Sequence, residues 1–149
     1  MPKIDLDAIP LNNSTGYPPP HDQPVQGRWK RAIGQVGGIT DFGVNHVVLK
    51  PGAWSSQRHW HEGEDEFAVM IAGEATLVDD HGRTPLKPGD CLAFPKNDGN
   101  GHHIVNDGEA DCIFIAIGRQ PHSACHYSDI DMMFDWRKQS YFHKDGTAF

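Results

Sequence analysis

The 149-residue chain has no apolar run longer than that of Cys112–Ile117. That is far too short to cross the roughly 30 Å hydrocarbon core of a bilayer, so no membrane role is expected. Only three cysteines occur, Cys91, Cys112 and Cys125, and they lack a CxxC spacing. An odd count without that spacing gives no disulfide framework and fits a reduced, cytoplasmic setting. A secretory leader is not expected: Met1–Pro10 carries Asp5 and Asp7 and has no apolar core. Positive charge is scarce, with 13 Lys and Arg against 20 Asp and Glu and a net charge of -7. The one basic spot, Arg28, Lys30 and Arg31, reads as a solvated strand edge, and a nucleic-acid partner is not expected. No internal repeat is visible. Sixteen glycines and 11 prolines favour turns over long helices.

What remains is a composition with 38% hydrophobic and 22% charged residues, enough for one domain around one core. Residues 1–27 read as an extended arm, because Pro10, Pro18, Pro19, Pro20 and Pro24 break any helix. Ile4, Leu6, Ile9, Leu11 and Tyr17 give the arm something to bury, so it is expected to lie across the body or a partner subunit. Residues 28–127 form the body. Strand candidates are Val44–Leu49, Ser55–His61, Glu66–Ala72, Ala75–Val78, Cys91–Phe94, His102–Asn106 and Asp111–Ile117. Pro51-Gly52, Asp80-His81-Gly82, Pro88-Gly89-Asp90 and Asp107-Gly108 punctuate them. Many short strands with frequent turns predict an all-β barrel or sandwich. Residues 128–149 form a tail, with a short helix expected near Met132–Arg137.

The stretch HWHEGEDEF, His59 to Phe67, carries the chemistry. Side chains alternate along a strand, so His59 and His61 share a face and Trp60 points away. If the intervening turn closes a hairpin, Glu66 stands beside the histidine pair, about 5 Å away. Imidazole and carboxylate suit iron, manganese, nickel, copper or zinc. Glu62, Glu64 and Asp65 read as a solvent-facing turn. Alternation places Ser55, Gln57, Met70 and Ile104 on the inner face, a partly apolar wall for a small ligand. Arg58, Trp54, Trp60 and Phe67 fall on the other face. Cys91 and Cys112 read as buried apolar fillers.

Two motifs in order resemble the cupin superfamily. The first is Gly52, His59, His61, Glu66 and Gly73; the second is Gly89, Pro95, Gly99, His102 and Asn106. The Gly52-to-His59 gap is one residue longer than usual, and Lys96, Asn97 and Asp98 lengthen the Pro95-to-Gly99 gap by two. The likeness covers roughly Val44–Gly118. It extends to a bacterial single-domain group with a Pro-rich arm and a tail, most of whose members lack an assigned activity. The resemblance implies a double-stranded β-helix, or jelly-roll, barrel. Inside it, His59, His61, Glu66 and His102 would hold one divalent transition metal with two positions open. His103 has the wrong gap to Asn106 and is expected to point outward or to support the ligands. Asn106 is expected to fix the turn after it.

The implied function is a metal-dependent enzyme acting on a small oxygen-donor metabolite, either a dioxygenase or an isomerase or lyase. Three neutral imidazoles and one carboxylate would leave a divalent ion at about +1, attractive to an anionic oxygen. The alternative is a non-catalytic small-molecule binding or sensor module. A sugar-phosphate isomerase is disfavoured because Arg58 points outward. A homodimer is expected, since sheet edges and an outer face need cover.

Overall fold

The computed structural model describes residues 3–120 and 122–149; Met1, Pro2 and Pro121 lie outside them. The strands are β1 (Arg28–Arg31), β2 (Gly43–Leu49), β3 (His59–His61), β4 (Glu66–Ala72), β5 (Ala75–Asp79), β6 (Gly82–Leu86), β7 (Cys91–Phe94), β8 (His103–Val105), β9 (Cys112–Gly118), β10 (Ala124–Tyr127), β11 (Met133–Asp135) and β12 (Ser140–Phe142), with one helical turn, α1 (Ile33–Val36). One antiparallel sheet runs β1-β2-β9-β4-β7. The other strands form sheets β12-β11-β10-β3 and β6-β5-β8. Bridges Trp54–Val105 and His59–His102 join these two into one wall. The chain is thus a jelly-roll barrel.

The alternating strands build its interior. Val47 and Leu49 from β2, Ala68 and Met70 from β4, Leu92 from β7, Ile104 from β8 and Phe114 from β9 pack into one core with Ala75 and Leu86. On β4 and β7 the alternate residues Phe67, Ile71, Cys91 and Ala93 are exposed, the pattern of a sheet with one wet face, whereas Val48, His103 and Val105 are covered on the far side as well. Gly73 ends β4 at φ +71, and a Cβ there would lie 2.5 Å from the Asp111 carbonyl oxygen. Only glycine fits both the conformation and the space.

Several expectations change. Ser55–His61 is not one strand: residues 55–58 bend, and pairing starts at His59. Alternation therefore fails before His59. The expected helix near Met132–Arg137 is strand β11, which pairs with β10 and β12 and extends the sheet carrying His59 and His61. Strand pairing wins because Tyr141 and Phe134 pack on a buried cluster of Cys125, Tyr127 and Met132. Strand β6 is not among the strand candidates; it contains Pro85 and lies at a sheet edge, where a proline is tolerated.

The arm lies across its own barrel. Asn12 exchanges two backbone hydrogen bonds with Lys30, at 3.0 and 2.9 Å. Arg31 donates from Nε to the Ile9 carbonyl at 2.7 Å. The side chains it buries are Tyr17, edge-on to Tyr127 at 5.5 Å, and Val25. Leu6 and Leu11 stay exposed.

Candidate metal centre

Four side chains meet inside the barrel. His59 and His61 project from one face of β3, and His102 enters from the bridge opposite His59. Glu66 heads β4, which pairs with β7 and β9 and not with β3. The turn between them is no hairpin; the carboxylate reaches the histidines across the interior. The Nε2 atoms of His59, His61 and His102 lie 3.5, 3.4 and 3.0 Å from one oxygen, Glu66 Oε2.

The outer nitrogens explain the orientation. His59 Nδ1 is 2.9 Å from the Gln57 carbonyl oxygen and donates to it. Its Nε2 is then left with a lone pair aimed inward. His102 Nδ1 lies 3.4 Å from the Asn100 carbonyl, and Phe94 stacks flat on the ring at 3.6 Å between centroids. His61 Nδ1 is buried without a hydrogen bond, and Glu64 Oε2 stands 3.5 Å from it. Lone pairs and a carboxylate thus face one another, acceptor against acceptor. A cation is what such a donor set lacks, so these residues could hold a metal.

The electrostatics agree. Burial alone would raise the Glu66 carboxyl, but the imidazoles of His102, His59 and His61 around it outweigh burial and hold the group well below its ordinary range. Burial lowers His59 despite Glu66 beside it. Burial opposes protonation of His61 too, yet its contact with Glu66, helped by the charge of Glu64, raises it.

Glu64 is the largest departure from the sequence reading. It is 2% exposed and not in a solvated turn. Its carboxylate accepts from the backbone N–H of His122 and, at 2.9 Å, of Ser123, and from the Ser123 hydroxyl at 2.7 Å. It ties β3 to the segment leading into β10 and faces the outer nitrogen of His61.

A cavity of about 570 Å³ adjoins the four side chains. Ser55 and Ile104 line it as expected; Gln57 and Met70 do not. Gln57 lies in the bend and donates from Nε2 to the His21 carbonyl at 2.8 Å. Met70, 1% exposed, is core. His103 is buried, not outward: its Nδ1 donates to the Ser56 carbonyl at 2.9 Å and its ring meets Trp54 edge-on. Arg58 does point outward, held by Asp129 and Asp80. Cys112 is buried as expected, but Cys91 is exposed.

The cavity wall also carries residues that the sequence reading missed. Cys125, opposite His61 on β10, has its sulfur within 4.8 Å of nitrogens of His59 and His61. Tyr17, Tyr127 and Tyr141 line the same space, and burial keeps all three phenols protonated. Arg28 and Lys30 line it as well, although the sequence reading left them at a solvated edge. Their i, i+2 spacing was the available signal that they share a face.

A solved sugar phosphate isomerase from a cupin superfamily, from Silicibacter pomeroyi DSS-3, is 42% identical, with a TM-score of 0.94 over 99% of this chain and 96% of that one. The chain belongs to the cupin superfamily. A family model for the cupin domain matches residues 45–118 of this cupin, from β2 to the end of β9. The oxalate-binding protein of Thermotoga maritima is 37% identical over 72 residues, 48% of this cupin and 56% of that protein, so the match spans little more than half its length. A polyketide cyclase from Streptomyces resistomycificus, at 18% identity, a TM-score of 0.66, and 80% and 79% coverage, shares the fold alone. Such a spread of names on one cupin barrel means that activity must be argued from the site.

Proposed function

We propose that this cupin is a metal-dependent isomerase acting on a small hydroxy-carbonyl compound of the sugar class. The observation that carries the reading is the convergence of His59, His61 and His102 on one oxygen of Glu66 beside a cavity of about 570 Å³. The full-length likeness to a sugar phosphate isomerase favours isomerase over dioxygenase chemistry. The four side chains would hold one divalent transition metal. Bound there, the ion supplies Lewis acidity to a substrate carbonyl or hydroxyl oxygen.

The chain's own residues do the rest. Gln57 and Glu64 orient the imidazoles, and Phe94 fixes the plane of His102. Tyr127, with its phenol protonated, forms part of the cavity wall beside Tyr17 and Tyr141. Ile104, Phe114 and Ala116 give an apolar wall that limits water around the reacting carbons. Free thiols at Cys91, Cys112 and Cys125 fit a reducing, cytoplasmic location.

Two measurements test the proposal. Metal content of the purified protein should be one ion per chain, lost in His59→Ala, Glu66→Ala and His102→Ala and kept in His103→Ala. Full occupancy in the three ligand variants would overturn the assignment. Protein loaded with iron, manganese, nickel, copper or zinc should interconvert aldose and ketose sugars or sugar esters without oxygen. Turnover that requires oxygen restores the dioxygenase reading. Tight binding of a sugar with no turnover under any metal makes the protein a binding module.

A further inference from the structure

Arg28 and Lys30 pose an electrostatic problem that the metal centre does not solve. They project from the same face of β1 into the cavity. Among the described residues, neither forms an ion pair with a carboxylate. Arg28 donates from Nη1 to the Ser55 carbonyl at 2.7 Å, which fixes the guanidinium, but its Nε is buried with no partner. Burial, and then the charge of Arg28, lowers the pKa of Lys30. Two neighbouring, half-buried cations without an anion are unfavourable, and a buried guanidinium N–H with no acceptor adds to the cost.

The same wall connects them to the metal centre. Ser55, which holds Arg28, has its hydroxyl 3.5 Å from that of Ser56, and Ser56 Oγ is 3.2 Å from His59 Nδ1. The arm braces β1 by pairing Asn12 with the Lys30 backbone, which leaves the lysine side chain free to face the cavity. One cavity therefore has two poles: an acceptor cluster suited to a cation, and a cationic pair suited to an anion.

We propose that Arg28 and Lys30 form an oxyanion subsite, so that the ligand is a small molecule with an oxygen-donor end at the metal centre and a phosphate or carboxylate at the other end. A planar guanidinium beside an ammonium suits either group. The proposal builds on the isomerase reading by naming its substrate class, but oxyanion binding can be measured without turnover.

The experiment compares wild type with Arg28→Met and Lys30→Met, all metal-loaded. The probes are inorganic phosphate, a ketohexose phosphate, a hexuronate and the free ketohexose. Binding is read by calorimetry, with metal content and melting midpoint as controls. Wild type should bind the phosphate ester or the hexuronate about ten- to a hundredfold more tightly than the free sugar, and each variant should lose that preference with its metal retained. Which anionic sugar shows the preference distinguishes phosphate from carboxylate. Should Arg28→Met fail to fold, Lys30→Met carries the same comparison. Equal binding of charged and neutral sugars by wild type, or an undiminished preference in the folded variants, overturns the subsite. Loss of the preference without any isomerisation leaves the subsite standing and removes the isomerase reading. Isomerisation with no preference does the reverse.

Discussion

Glu64 shows how one residue can serve both the fold and the site. Its carboxylate closes three hydrogen bonds around Ser123 and faces His61 Nδ1. Glu64→Gln keeps the acceptor for the Ser123 N–H and removes the charge. Metal affinity should fall about 10- to 100-fold, as for other groups that orient a ligating imidazole, while the fold is kept. Unchanged affinity would reduce Glu64 to a structural anchor. Burial opposes its ionisation, but the backbone bonds from His122 and the Ser123 hydroxyl outweigh it and lower its pKa below 4.5. The sign follows: its stabilising contribution is complete above that unfolded value and is lost as pH falls through the lower folded one. The stability of metal-free wild type should therefore fall more steeply on acidification below the ordinary carboxylate range than that of Glu64→Gln, which has no charge to lose there. Parallel acid profiles would contradict this.

At the scale of elements, the turn after β8 depends on Asn106. Its Nδ2 donates to the Leu49 carbonyl at 2.9 Å and the Ala110 carbonyl at 2.8 Å, and its Oδ1 accepts from the Gly108 N–H at 3.0 Å. The expected turn-fixing role is thus visible. Asn106→Ala leaves these buried groups unpaired and should cost about 2–4 kcal/mol in denaturant unfolding. A loss under 1 kcal/mol, roughly the net worth of a single ordinary bond, would show that water replaces the side chain. The arm is another such element. Deleting residues 1–24 strips Tyr17 from Tyr127 and Tyr141 and breaks the Asn12–Lys30 pairing. A loss of at least about 2 kcal/mol is expected from the aromatic burial alone. An unchanged melting midpoint would mean the arm contributes nothing to the barrel.

For the whole molecule, the remaining expectation is the homodimer. Trp54 and Trp60, expected on the outer face, are engaged within the chain: Trp60 stacks on His126 at 4.4 Å and Trp54 meets His103. The outward face of β4 offers a better surface, with Phe67 38% and Ile71 50% exposed on the side opposite Glu66, Ala68 and Met70. Light scattering at micromolar concentration should give a dimer, and Ile71→Asp should shift it toward monomer. A monomeric wild type refutes the expectation. No helix among the described residues is long and apolar enough to cross a membrane.

The sequence alone determined the barrel, the shared face of His59 and His61, and the placing of His102 toward Glu66. Each of these rests on local periodicity or on the spacing of two motifs, and strand geometry converts both directly into direction. Only the tertiary structure decided the rest. The spacing of Glu66 was legible, but its route was not: β4 pairs with β7 and β9, so the carboxylate meets the histidines across the interior. Glu64 looked solvated because its acidic neighbours are; the segment that buries it lies some 60 residues away. Arg28 and Lys30 showed a common face without showing whether that face met water or the cavity. The tail's residues became strands because β10 offered them an edge and a buried aromatic cluster. Burial and pairing depend on partners distant in the chain, and a local pattern carries the period of a strand but not the identity of what covers it.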